Sequence, residues 1–131
     1  MSRKWLPAVL MITIAAVSTG TAHAQVQVLG PNPVIANVPL ACFGANTIVM
    51  PLDDTAKAAP GVIYVDWSFF QLPGVVQLFT YAHDCAHQIV AIGSNERAAD
   101  CWAVKLGRYQ RWLTPGALAA VEAYFANSPG D

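Results

Sequence analysis

Residues 81–88 read Tyr-Ala-His-Asp-Cys-Ala-His-Gln, and residues 96–105 read Glu-Arg-Ala-Ala-Asp-Cys-Trp-Ala-Val-Lys. His83 and His87 stand four residues apart, so on a helix both imidazoles leave the same face, one turn from each other. Glu96 and Asp100 repeat that spacing a short turn further on. Two imidazoles on one helix and a carboxylate on another can hold a zinc ion with an open fourth position. The rest of the chain then has to supply two helices meeting at a tight corner, and a scaffold that holds them there.

The helical half extends outward from this stretch. Pro73 suits the first turn of a helix expected to run to about Ile92, with Gly93 as its stop. Val76, Phe79, Tyr81, Ala82, Ala86, Ile89 and Val90 place apolar side chains around much of it, so it reads as buried. Ser94 is expected to cap a second helix over residues 95–110. Ala98, Ala99, Trp102, Ala103 and Leu106 follow helical spacing there, and Cys101 and Trp102 read as core. Thr114-Pro115 opens a third helix through Phe125, with a stripe of Leu118, Val121 and Phe125 facing inward.

The other half is extended. Residues 25–38 alternate but lie among Pro31, Pro33 and Pro39, and read as irregular or edge strand. Residues 46–50 form a short strand, residues 52–61 a loop, and residues 62–67 (VIYVDW) the most strand-like segment. The expected fold class is α+β: a small antiparallel or mixed sheet of two to four strands, then a helical half carrying the metal motif on two adjacent helices.

Residues 1–24 read as a signal peptide: Arg3 and Lys4, an apolar run from Trp5 to Val17, and a small-x-small site at Ala22-His23-Ala24. The run is short for a spanning helix, which needs about 20 apolar residues. An uncleaved anchor is the alternative. Export to the periplasm or beyond the cell is expected, with residues 25–131 as a single domain and no membrane anchor left after cleavage. Those 107 residues carry five basic and eight acidic side chains, a formal −3. With no basic patch or Lys/Arg run, nucleic acid is not expected as a partner.

Cys42, Cys85 and Cys101 all follow the leader. An oxidising compartment favours one disulfide and one thiol left over. The pair Cys85–Cys101 is preferred, because it would staple the two helices carrying the metal motif. A bond from Cys42 to either one, or three buried thiols, are the alternatives. Cysteine as a metal ligand is less expected, because Cys85 is two residues from each histidine and faces away from both.

Chemical roles can be assigned on this frame. His83, His87 and Glu96 are the expected metal ligands, zinc the expected ion, and Asp100 the group that fixes a histidine's tautomer. Asp84 is the candidate general base. Each element also has a plainer reading: the histidines as ordinary polar contacts, Glu96 and Asp100 as a solvated face offsetting Arg97 and Lys105. What favours a site is the coincidence of all five within 18 residues.

The stretches YAHDCAHQ and ERAADCWAVK together resemble the zinc-metallopeptidase pattern His-Glu-x-x-His with a later Glu-x-x-x-Asp. More narrowly, they resemble small exported bacterial metallopeptidase-like proteins that carry Ala-His-Glu-Cys-x-His and Ala-Asp-Cys-Trp/Phe-Ala. The resemblance covers roughly Val62 to Thr114. It implies a zincin-like helical half, zinc on His83, His87 and Glu96, and Asp100 supporting a histidine. The base in that pattern is glutamate, and here Asp84 replaces it. Aspartate falls short of glutamate's reach by roughly 1.5 Å, and misplacement of a reacting group by about 1 Å can cost on the order of 100-fold.

The implied function is a zinc-dependent peptidase-like hydrolase of peptide or amide bonds, slowed by its shorter base. The alternatives are an inactive zinc-binding or peptide-binding module on the same scaffold, and a metal-free protein in which these residues form a polar network. A peptide or protein substrate would lie along an edge strand. Residues 62–67 are the expected strand, with Tyr64, Trp67, Phe69 and Phe70 lining a groove or, for at least two of them, filling the core.

Overall fold

The structure, a computed structural model, describes residues 25–128. The expected signal peptide therefore lies outside the described residues. Six strands come first: β1 (Gln27–Gly30), β2 (Val34–Ile35), β3 (Val38–Pro39), β4 (Asn46–Val49), β5 (Ala56–Ala59) and β6 (Val62–Val65). A 3-10 helix, Trp67–Gln71, leads into α1 (Gly74–Ala86), α2 (Glu96–Tyr109) and α3 (Pro115–Asn127). The class is α+β, as the sequence implied.

The β-branched runs of β4 and β6 form the centre of a four-stranded sheet ordered β1-β4-β6-β5. β4 and β6 are parallel, and both outer pairings are antiparallel. β2 and β3 form a separate two-stranded ribbon. Alternation buries Thr47, Val49, Ile63 and Val65.

Two strand expectations are corrected. Residues 52–61, read as a loop, contain β5. Its sequence Ala-Lys-Ala-Ala carries little strand preference of its own. It becomes a strand by pairing with β6 across the Pro60-Gly61 turn, where Gly61 adopts φ +74. Residues 62–67, read as the edge strand, instead supply an inner strand that ends at Val65. Asp66 then caps the 3-10 helix by accepting from the Ser68 amide. Phe69 on that helix is fully buried, while Trp67 and Phe70 are exposed and pack on one another.

α1 is the central element. Leu78, Tyr81 and Cys85 pack against Ile35, Val49, Ile63, Val65 and Phe69 on the sheet side. Val76, Phe79 and Ala82 pack against Ala103, Leu113 and Val121 on the helical side. The Tyr81 hydroxyl and the Thr47 hydroxyl meet at 2.7 Å inside this core, which satisfies two polar groups that would be costly to bury alone. Ala82, Ala86, Ala99 and Ala103 are all fully buried. Such small side chains let the axes of α1 and α2 approach closely. Gly107 serves a similar end lower down, where an added Cβ would lie 2.6 Å from the Cβ of Leu113.

α1 ends at Ala86 with His87 as its cap, short of the expected Ile92. Residues 88–95 wind through tight turns instead, and Val90 is 97% exposed rather than core-facing. The cause is competition for side chains. The Gln88 amide donates to the carbonyls of Ala59 and Val62 and accepts from the Gly61 amide, so it grips the β5–β6 turn. Asn95, not Ser94, caps α2 by accepting from Ala98. Thr114 caps α3, with Pro115 at its first position.

The disulfide joins Cys42 to Cys85, correcting the preference for Cys85–Cys101. Cys85 faces the sheet side of α1, where the chain after β3 passes. Cys101 is an exposed free thiol on the outer face of α2, not core. Trp102 beside it is half-buried and packs on both hydrophobic clusters. A stable disulfide fits an oxidising compartment. No helix among the described residues is long and apolar enough to cross a membrane.

The bond closes a span of 43 residues, for which chain entropy gives about 4 kcal/mol of stabilisation. Replacing Cys42 and Cys85 together by alanine is expected to lower the urea-derived stability by about that amount, and thiol titration of the unfolded, unreduced protein to find Cys101 alone. Three reactive thiols would contradict the pairing. Asp66 gives a second test. The Ser68 and Leu52 amides hold its carboxyl below the usual carboxylate range. A depressed folded pKa contributes stability that is present above the unfolded value, about 3.9, and is lost as pH falls through the folded value. Asp66→Ala is therefore expected to lower the urea midpoint at neutral pH, with the gap to the native chain closing in acid. A gap independent of pH would contradict this.

Candidate functional site

The site forms where the end of α1 meets the start of α2. His83 lies on the last turn of α1, and His87, its C-cap, keeps helical backbone angles, so the four-residue spacing places both rings on one face. Glu96 is the first residue of α2, and Asp100 follows one turn later. The close alanine-lined approach of the two helices brings all four side chains together, as the sequence implied.

Each ring is held from behind. His83 Nδ1 lies 2.7 Å from Asp100 Oδ1. His87 Nδ1 lies 2.6 Å from the Gly93 carbonyl, which Gly93 can present because it sits at φ +51, a region that favours glycine. A carbonyl and a carboxylate only accept, so both Nδ1 atoms donate. A neutral imidazole with hydrogen on Nδ1 keeps its lone pair on Nε2.

The Nε2 atoms point at each other. They are 3.2 Å apart, and Glu96 sits over both, with Oε2 2.8 Å from His83 Nε2 and Oε1 3.2 Å from His87 Nε2. Two nitrogens and two carboxylate oxygens this close repel one another unless a proton or a metal cation lies among them. An imidazole whose Nδ1–H is bound to a carboxylate or a backbone carbonyl is also oriented as histidine is toward a metal.

Asp84 lies on the inner side. Together His83, Asp84 and His87 present donor atoms all within 4.8 Å of one another, a group able to hold a metal ion. Asp84 is 8% exposed, and its Oδ2 has no hydrogen-bond partner. Burial is the main reason its carboxyl is pushed up to about 6, and the nearby histidines oppose that shift. An unpartnered buried carboxylate is costly, so it marks a place where a cation or a proton is accommodated.

Two cavities open beside these residues. One, of about 740 Å³, lies between β5, the β5–β6 turn and the loop after His87. The other, of about 910 Å³, lies between residues 52–56 and α3. Tyr64, Trp67, Phe69 and Phe70 border neither, so the expected aromatic groove is not formed. The strand flanking the histidines is β5, at the sheet edge. Sequence reasoning missed β5, the Gly93 carbonyl and the Gln88 clamp. Gly93 alone left a signal, as a glycine just after an apolar helical run. Comparison with protein-family models, with curated proteins and with solved structures finds no match.

If Asp84 is a buried, unpartnered charge, Asp84→Asn should raise the stability of the metal-free protein at neutral pH, by on the order of 1–2 kcal/mol. Urea unfolding in the presence of a chelator measures this. A less stable variant would mean that the native carboxylate is already satisfied.

Proposed function

We propose that the chain is a zinc-dependent, peptidase-like hydrolase of peptide or amide bonds, of the exported zincin-like kind its motifs resemble. The single observation that carries this reading is the convergence of His83 Nε2, His87 Nε2 and the Glu96 carboxylate, with both Nδ1 atoms tied back to acceptors. The donor set fits zinc: two neutral imidazoles and one carboxylate, as in catalytic rather than closed structural sites. His83, His87 and Glu96 would hold the ion. When bound, it would polarise a carbonyl and make water more acidic.

The remaining work falls to side chains. Asp100 and the Gly93 carbonyl keep the imidazoles in the tautomer that leaves Nε2 free. Asp84 makes no bond to either histidine, so it is free to take a proton from water and return it to a leaving amine. Its burial excludes bulk water from the carboxylate. β5, at the sheet edge beside the histidines, offers backbone groups along which an extended peptide can lie. The Gln88 clamp fixes that strand relative to the end of α1. The short reach and deep burial of Asp84 favour a second reading, an inactive zinc-binding or peptide-binding module on the same scaffold. The disulfide fits the proposed periplasmic or secreted location.

Protein purified without added metal, then equilibrated with zinc, is expected to hold about one zinc per chain. Asp100→Asn should weaken zinc binding by roughly 10- to 100-fold. Asp84→Asn should keep zinc and lower hydrolysis of a mixed peptide library by at least roughly 100-fold. Absence of zinc uptake ends the metal reading. Zinc uptake with equal background hydrolysis by the native, Asp84→Asn and Asp84→Glu proteins selects the binding module.

A further inference from the structure

The acidic residues of this chain are distributed unevenly. The sequence has eight, and seven of them border the larger of the two cavities. Three belong to the histidine site: Asp84, Glu96 and Asp100. The other four, Asp53, Asp54, Asp66 and Glu122, come from the 53–54 bend, the cap of the 3-10 helix, and α3. Separate elements converge on one space, so this is not a run of like charges along a single solvated face.

Among the described residues, no lysine or arginine borders that cavity. Lys57 borders the smaller cavity, and Arg97, Lys105, Arg108 and Arg111 border neither. Among the described residues the acidic side chains contact no lysine or arginine, and their close contacts with nitrogen are the three made by His83 and His87 with Glu96 and Asp100. Asp84, nine-tenths buried and with an unpartnered Oδ2, also borders the space. Negative charge thus gathers around a cavity of about 910 Å³, and among the described residues His83 is the one side chain on it able to carry a balancing positive charge.

The same cavity also has an apolar lining. Phe79, Leu118, Val121 and Phe125 line it, with Phe79 and Phe125 in tilted contact, their ring centroids 5.9 Å apart. A bare inorganic cation gains nothing from such a wall. A guanidinium or ammonium group on a carbon stem gains from both sides: the charge from the carboxylates, the stem and the cation's face from the aromatic rings.

We infer that this cavity is a recognition pocket for a basic side chain, of arginine or lysine type, on a peptide whose backbone reaches the histidines. The cavity shares Asp54, Ala56, His83, Asp84 and Glu96 with the smaller one. A ligand lying across the histidines along β5 therefore enters both. That such a peptide is a substrate rests on the hydrolase reading; the binding preference does not.

The test measures binding, not turnover. The full chain, in metal-free and zinc-equilibrated forms, is titrated calorimetrically with acetyl-Phe-Arg-amide, acetyl-Phe-citrulline-amide and acetyl-Phe-Glu-amide. Citrulline keeps the shape of arginine and removes its charge. The arginine peptide is expected to bind at least about tenfold more tightly than the citrulline peptide, with the glutamate peptide weakest, and the preference should shrink as salt is raised. In the double variant Asp53→Asn/Glu122→Gln, the arginine-over-citrulline ratio should fall to about threefold or less, with zinc content unchanged. Both acids are exposed, so the variant is expected to keep the native urea midpoint. Equal affinities for the three peptides, or a ratio unaltered in the double variant, would overturn the inference. Zinc binding without the preference removes the pocket and leaves the hydrolase reading standing. The preference without zinc binding does the reverse.

Discussion

Two imidazole nitrogens that both carry lone pairs do not rest 3.2 Å apart beneath a carboxylate unless positive charge lies between them. That constraint governs this corner of the molecule. It depends less on the histidines than on what stands behind them. If the Gly93 carbonyl and the Asp100 carboxylate did not hold both Nδ1 hydrogens, either ring could turn its N–H inward and the cluster would be an ordinary hydrogen-bond network. The supporting groups convert two common side chains into a directed pair of donors.

The fold puts those supports in place by fixing α1 on every side. Its inner face is buried against the sheet, its outer face against α2 and α3, and the Cys42–Cys85 bond anchors it two residues from each histidine. The fully buried alanines at the α1–α2 crossing bring Glu96 and Asp100 within reach. Gln88 then ties the far end of α1 to the β5–β6 turn, so the sheet edge and the histidines form one rigid rim around the cavities. Stability and site geometry are therefore the same set of contacts seen from two sides.

The helical half was legible in the sequence because its signals are local. Thr114-Pro115 states a helix start by its own chemistry, and the spacing of His83, His87, Glu96 and Asp100 needs only helical periodicity to be read. What could not be read was set by distant partners. Ala56–Ala59 is a strand only because β6 lies beside it. α1 stops early because the turns after His87 gain the Gly93 and Gln88 contacts, which lie outside any window of helical pattern. Ser94 and Asn95 are both good caps, and only the packed corner selects Asn95. Cys85 pairs with Cys42 because of which face of α1 meets the sheet, a matter of tertiary packing that the spacing of three cysteines does not encode. Asp53 and Asp54 lie far from Glu122 in the sequence, and only the fold brings them around one space.

Both histidines keep hydrogen on Nδ1 and turn Nε2 toward a shared positive charge, a proton or a metal ion. Long-range proton–nitrogen NMR of the imidazoles measures this directly, in metal-free protein at mildly alkaline pH and again after addition of zinc. Expected are hydrogen on both Nδ1 atoms with and without metal, a hydrogen held among His83 Nε2, His87 Nε2 and Glu96 in the metal-free protein, and its loss with a shift of both Nε2 resonances when zinc is added. A bare Nδ1 on either ring, or Nε2 resonances indifferent to zinc, would refute that arrangement.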